Sequence, residues 1–293
     1  MLYLLLIFGV FCCSTSVIWI RASSLEPQVL AAARLLLAAG LLVPVWLRVR
    51  RQHPEVTLAP RILGPAAILL SLHFISWAAG ARMTPAANAS LLVNLAPVAM
   101  PIFCFWFLRE LPSPNQWVGT GLALTGVVLL GWADFKTSPD YLLGDLVCLT
   151  SMCFYAAYLT WGRRQRQLPS VWLYIVPVYA LSGLLCLLTT LVDFRQLWRP
   201  LFTGSSAREE WLWLLGLTVV PTILGHSILN ASVRRMPGQV VAVINVFQFA
   251  FAGFLGWFLL AEEPGLFFLP AAMLAASGAA CVILEKPKVK QTT

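Results

Sequence analysis

Ten predominantly apolar stretches follow one another along the chain, at roughly 2–20, 27–47, 62–82, 86–108, 115–133, 141–162, 171–192, 210–231, 238–260 and 265–284. An α-helix needs about 20 such residues to cross a bilayer. In hydrocarbon every backbone N–H and C=O must be paired inside the protein, which leaves helices and closed barrels. A barrel strand shows an alternating pattern over about ten residues, and no stretch here does. The expected fold class is therefore all-α and integral to the membrane, with ten transmembrane helices. Composition closes the soluble alternative. Of 293 residues 59% are hydrophobic and 11% charged, against about 45–50% and about 25% in soluble domains. The loops are too short for a nucleotide-binding domain, and no Walker loop, GxGxxG, HExxH or GxSxG occurs, so no cofactor is expected.

The net charge of +8 sits in the connections between apolar runs. That pattern anchors a topology in the lipid bilayer rather than building a basic face for nucleic acid. With the N-terminus inside, thirteen of the 20 basic residues fall on the cytoplasmic side, six fall outside, and Arg34 lies within a span. Both termini are thus expected in the cytoplasm, with the protein multi-pass in the cytoplasmic (inner) membrane. Residues 1–20 lack a basic leader region and read as a retained first helix. All seven cysteines lie in apolar runs, which points to small core residues and to neither a disulfide framework nor a metal site.

The two halves echo each other. ARM-TPAANASLLVNLAPVAMPIFCFWFLRE (81–110) parallels RRM-PGQVVAVINVFQFAFAGFLGWFLLAEE (234–263), with Met83 matching Met236 and Glu110 matching Glu263 at an offset of 153. GTGLALTG (119–126) parallels AAMLAASG (271–278) at an offset of 152. The expected organisation is one repeat over 1–134, a second over 141–285 and a short basic tail at 286–293. Five helices per repeat is an odd number, so the second copy enters the membrane upside down. Inverted repeats build a midplane site between the halves and open it to each side in turn.

The segments Ala31-Ala32-Ala33-Arg34, Thr84–Leu130 and Leu142–Arg164 resemble the drug/metabolite transporter superfamily, specifically its ten-helix members with two EamA domains. The likeness covers nearly the whole chain and is weakest over 171–231. It implies two inverted five-helix EamA repeats and inner-membrane transport, often export, of amino acids, other metabolites or toxic compounds. Two departures stand out against that family. A Trp-Gly pair usual in the first helix is replaced near Cys12-Cys13-Ser14, and the proline usual in the middle of the ninth span is absent at Val246-Phe247-Gln248-Phe249.

Polar residues at membrane depth are costly and tend to face a cavity. In 86–108, Pro97 lacks an N–H and clashes with the carbonyl of Val93, so the helix should bend there. Asn94 sits in that turn and either offers its amide to a substrate or closes the freed carbonyl. Asn245 and Gln248 are i,i+3 on one face of the ninth span and either contact substrate or join helices. Gln248 falls one residue from the repeat equivalent of Asn94. Arg34 lies about 10 Å into the second span at ~1.5 Å per residue. It meets a substrate carboxylate, snorkels, or pairs with carbonyls. Trp77, Tyr155 and Tyr158 line an aromatic cavity or simply pack, and packing is the plainer role. His73 and His226 are candidate proton carriers, though a buried histidine bonded to a neighbour is the commoner case. No carboxylate falls near the middle of a span, which disfavours a pump built on an Asp/Glu relay. Small residues at Gly119/Ala123 and at Ala272/Ala276/Ala280 fit close helix packing, and leave open a homodimer face.

The leading expectation is a secondary transporter, exporting a small organic metabolite such as an amino acid by alternating access. Carriers of sugar phosphates or nucleotide sugars would need more buried cations than Arg34. A membrane-embedded enzyme would need an acid/base or metal constellation that the spans lack. A non-transporting scaffold would need neither the repeat nor polar span centres.

Overall fold

The structure, a computed structural model, describes residues 2–109, 111–165, 167–233, 241 and 244–284. Its helices are α1 (Leu2–Ser14), α2 (Ser16–Ala22), α3 (Pro27–Gln52), α4 (Pro60–Met83), α5 (Ala86–Val93), α6 (Ala96–Leu108), α7 (Pro114–Thr137), α8 (Pro139–Gly162), α9 (Trp172–Thr189), α10 (Phe194–Phe202), α11 (Ala207–Leu217), α12 (His226–Val233), α13 (Gln248–Leu260) and α14 (Phe268–Leu284). Among the described residues there is no strand.

Eight helical segments are long and apolar enough to cross a membrane: Leu2–Ala22, Pro27–Gln52, Pro60–Met83, Ala86–Phe107, Pro114–Ala133, Asp140–Gln165, Trp172–Thr189 and Ala207–Leu229. They coincide with the first eight expected spans. The last two are shorter apolar helices, Ile244–Leu260 and Phe268–Leu284. Most of 238–243, the expected start of the ninth span, lies outside the described residues, as do Glu110, Arg234, Arg235, Met236 and the tail at 286–293. Large side chains such as Leu4, Val128 and Phe258 are about 70% exposed on the outer surface. Such a surface would aggregate in water and is what lipid demands.

Among the described residues four spans are interrupted, three of them for a local reason. Between α1 and α2, Ser14 Oγ donates to Phe11 O and Thr15 Oγ1 to Cys12 O, both at 2.7 Å, so hydroxyls compete for helical carbonyls. Between α5 and α6 the chain turns at Asn94–Leu95, one turn before Pro97, as the missing N–H requires. Between α11 and α12, residues Thr218–Gly225 form a π-helical stretch with Pro221 inside it. Such wide turns are frequent at functional sites. Before α13 the chain turns at Phe247. The connection expected between the seventh and eighth spans contains α10, a further short helix. It is amphipathic, with Leu201 buried and Phe202 exposed, and it is tied down by Trp211 Nε1 donating to Leu201 O at 2.9 Å.

Helices α7 and α14 pack closer than side chains would allow. A Cβ placed on Gly278 would stand 2.4 Å from Gly119 O, one on Gly119 2.7 Å from Gly278 O, and one on Gly126 2.5 Å from Ala271 O. The helices therefore run antiparallel. Gly119 and Ala271 are repeat equivalents, as are Gly126 and Gly278, so the contacts are swapped between copies as in an isologous interface. The row of α14 that meets α7 is Ala271–Ala275–Gly278–Val282, one residue displaced from the small-residue row expected from sequence. Gly119 and Gly126 are thus occupied within the chain, while Gly121 faces open space.

Candidate functional site

A cavity of about 260 Å³ lies among α1–α5, α8, α9, α12, α13 and the π-helical stretch. Nine of the ten residues singled out from sequence line it: Arg34, His73, Trp77, Asn94, Tyr155, Tyr158, His226, Asn245 and Gln248. Pro97 does not, and its part is to set the turn that exposes Asn94.

The three amides form a chain across the meeting point of the two halves. Asn94 Nδ2 donates to Ser90 O at 2.8 Å, Asn245 Nδ2 to Asn94 Oδ1 at 3.3 Å, and Gln248 Nε2 to Asn245 Oδ1 at 2.6 Å. A backbone carbonyl only accepts. Ser90 O therefore fixes which way the Asn94 amide points, and each further amide follows. The chain ends on Gln248 Oε1, an acceptor at the cavity wall. Asn94 Nδ2 thus bonds Ser90 O and not Val93 O, the carbonyl that Pro97 frees, while Asn94 Oδ1 links the two halves.

Arg34 is 3% exposed. Its Nε donates to Thr222 Oγ1 at 2.6 Å, and its guanidinium lies over the Phe74 ring at 4.5 Å from the centroid. The Thr222 hydroxyl spends its one hydrogen on Leu217 O at 2.9 Å, so it can only accept from Arg34. The π-helical stretch supplies this acceptor. Among the described residues no carboxylate lies within 4.0 Å of Arg34, and no acceptor is bonded to its Nη atoms. Snorkelling is set aside, because the head group points into the protein.

His73 is bound to α8. Ser151 Oγ donates to His73 O at 2.9 Å, and His73 Nδ1 lies 3.1 Å from Ser151 O. His73 Nδ1 also lies 2.9 Å from Ser151 Oγ, so Ser151 holds the ring edge through both its hydroxyl and its carbonyl. The imidazole stacks on Tyr155 at 4.7 Å, and Tyr155 stacks on Tyr158 at 6.3 Å. His226 opens α12 directly after the π-helical stretch.

About one turn beyond the lining residues Val17 and Trp77, a polar clasp ties span ends together. Arg21 pairs with Glu262 and also donates to Thr84 O and, at 2.7 Å, to Ala81 O. Glu262 Oε2 accepts from Ala86 N at 2.8 Å, which caps the first turn of α5 from another span. Arg82 donates to Ile20 O and Ser23 O, Thr84 Oγ1 to Asp145 Oδ1 at 2.7 Å, and Ser23 Oγ and Ser24 N to Glu210 at 2.7 and 2.8 Å. The carboxylates that sequence places at span ends thus tie the ends together. The lining at the opposite end runs out to Gly162 and Val171, beside the 163–171 connection.

Sequence reasoning missed Cys13, Ser14, Ser16, Ser90, Tyr174 and Tyr179, all lining residues. Tyr174 and Tyr179 flank Pro177 in an otherwise aliphatic span, which was the available signal. The Tyr174 hydroxyl is buried without a partner among the described residues.

The profile of the EamA-like transporter family matches residues 1–132 and again 142–284. The chain belongs to the EamA-like transporter family. Among its relatives is the pseudopaline exporter CntI of Pseudomonas aeruginosa, 24% identical over 205 residues, covering 70% of this chain and 67% of the relative. The aromatic amino acid exporter YddG of Ancylobacter novellus is 25% identical over 182 residues, covering 60% and 59%. A protein of known crystal structure superposes with a TM-score of 0.65 at 18% identity, over 95% of this chain and 96% of the other. That likeness speaks for the fold alone. This EamA-family chain is a multi-pass membrane transporter of helical build, and its family match is doubled along the chain as the sequence echo requires.

Proposed function

We propose that this protein is a secondary exporter of a small organic solute, such as an amino acid, working by alternating access across the cytoplasmic membrane with both termini inside. The observation that carries this reading is the cavity itself. It lies where the two halves meet, is lined by residues of both, and is flanked by polar ties at both ends, through Arg21, Glu262 and Asp145 at one and through Arg163 and Arg164 at the other. Export rather than uptake rests on the relatives, which export pseudopaline and aromatic amino acids. A volume of about 260 Å³ is near the small end of ligand sites, and suits a metabolite of amino-acid size. Sugar phosphates and nucleotide sugars fit less well, since the described lining offers one guanidinium.

The swapped α7–α14 contacts and the doubled family match support ten spans arranged as two inverted five-helix repeats, 1–134 and 141–285. The clasp is then the outer gate, and the Gly162–Val171 end faces the cytoplasm. The test is efflux from liposomes containing the purified chain, loaded with single radiolabelled amino acids. Saturable efflux above protein-free liposomes is expected for at least one, and its absence across the amino acids overturns the reading. Engineered cysteines at 134–140 and 163–166 should react with an impermeant thiol reagent from opposite faces. Labelling from one face would refute the threading.

A further inference from the structure

We infer that the cavity selects its solute by a carboxylate docked on Arg34, and that a cationic group on the solute contributes nothing to recognition. The inference rests on the cavity being the transport site. A guanidinium carries five N–H donors. Here one is used, on Thr222, and the flat face lies on Phe74. Arg34 lines the cavity, and no acceptor among the described residues is bonded to its Nη atoms. A buried cation is retained only where something pairs with it.

The protein has buried carboxylates, yet gives them other partners. Asp145 is held by Thr84, Glu210 by Ser23 and Ser24, and Glu262 by Arg21 and the Ala86 N–H. All three belong to the clasp, and none lines the cavity. The missing counter-charge must therefore arrive with the solute. A carboxylate matches the open fork of the guanidinium with two parallel hydrogen bonds. A phosphate monoester brings about −1.5 to −2 charges, more than one cation balances in a dry site. Among the described residues the lining holds no acidic group to pair with an ammonium, so the carboxylate and not a cationic end is expected to carry the affinity.

The test is thermal unfolding of the purified full chain in detergent, with four probes that share one aromatic body: 3-phenylpropanoate, L-phenylalanine, L-phenylalanine methyl ester and phenethylamine. A ligand that binds the native state raises Tm by mass action. 3-Phenylpropanoate and L-phenylalanine should raise it in the millimolar range, and the ester and the amine should not. Arg34→Gln should weaken 3-phenylpropanoate binding at least tenfold, and Arg34→Lys should restore part of it. If Arg34→Gln does not fold, the acid–ester comparison on the unaltered protein decides alone. Equal shifts from phenethylamine and 3-phenylpropanoate overturn the inference, as does unchanged acid binding in Arg34→Gln or no shift from either acid. Efflux of labelled amino acids measured in parallel tells the two failures apart. Saturable flux without a carboxylate requirement sinks the inference and leaves the transport reading standing.

Discussion

Helix α6 begins after a turn at Asn94–Leu95 and ends on Arg109 in the left-handed region (φ 59°). Farther along by 152 residues, α13 begins after a turn at Phe247 and ends on Ala261 in the same region (φ 54°). Both helices are 13 residues long, and the residues before them, Leu95 and Phe247, have ψ of 8° and 7°. Only α6 has a proline behind its turn. Phe249 stands at the equivalent of Pro97, with its N–H intact. A geometry that survives the loss of its local cause has a second cause in the tertiary structure. The two turns face each other and are joined by Asn245 to Asn94. Beyond that bond α5 lies along α13, close enough that a Cβ on Gly256 would be 3.0 Å from Ala86 Cβ.

The equivalence of the copies is tested hardest at the α7–α14 seam. Gly278→Val and Gly126→Val place carbon where backbone atoms stand 2.4–2.5 Å away. Overpacking costs about 1–3 kcal/mol, occasionally more, and here the obstacle is backbone, so about 3 kcal/mol or more is expected for each. Gly121→Val, with nothing within 4 Å of its Cβ, is the control. Both seam variants should lose folded protein or Tm by similar amounts while the control stays near wild type. A seam variant as stable as Gly121→Val would break the swapped-contact arrangement.

After Ala261, Glu262 turns back to Arg21 and to the Ala86 N–H. Glu262→Gln removes the charge that Arg21 pairs with, while Thr84 O and Ala81 O still accept from it. The two side chains are 16% and 25% exposed, so about 2–3 kcal/mol is expected, below the about 3–5 kcal/mol for breaking a fully buried pair. Because Glu262 joins three spans at one end only, the loss should loosen that end selectively. A cysteine at Ser16, on the cavity wall, should then react faster with an impermeant reagent added from the clasp side. An unchanged rate would mean that the clasp is not a gate.

Next in size comes the amide chain. Asn94→Leu removes both the Ser90 and the Asn245 bonds and should cost about 1–3 kcal/mol, the penalty for stranding buried polar groups, with at least a tenfold loss of flux. Gln248→Leu removes only the terminal donor and should cost less in Tm. Its flux should still fall, since Gln248 Oε1 is the acceptor left to the cavity. Normal flux in both variants, with expression unchanged, would remove the amides from the site.

These contrasts also mark what the sequence could reveal. The spans were legible because bilayer thickness sets their length and hydrocarbon sets their composition, neither of which depends on tertiary partners. Asn94 and Arg34 were legible because polar atoms are rare at depth. What Arg34 bonds was not legible, because Thr222 becomes its acceptor only through the π-helical stretch around Pro221. A proline inside an apolar run signals a defect without saying which carbonyls it releases. Tyr174 and Tyr179 were passed over for the opposite reason: aromatic side chains in an apolar span look the same whether they face lipid, a neighbour or a cavity. Helix α10 was missed because nine residues in a charged connection carry too little periodic signal.

The smallest effect is expected at the proline from which sequence reasoning expects the bend. Pro97→Ala restores an N–H that can bond Val93 O, and on local grounds it should straighten α5 into α6. The second copy argues otherwise, since its turn at Phe247 persists with that N–H present. If the facing turns hold each other, Pro97→Ala should keep the Asn245–Asn94 bond, flux within about twofold of wild type, and stability within about 1 kcal/mol, the scale of a proline or glycine effect at a compatible site. If the proline alone makes the turn, the helix straightens and Asn94 leaves the cavity wall. Flux then falls as far as it does in Asn94→Leu. Measuring the two variants side by side decides whether the break belongs to one residue or to the pairing of the two halves.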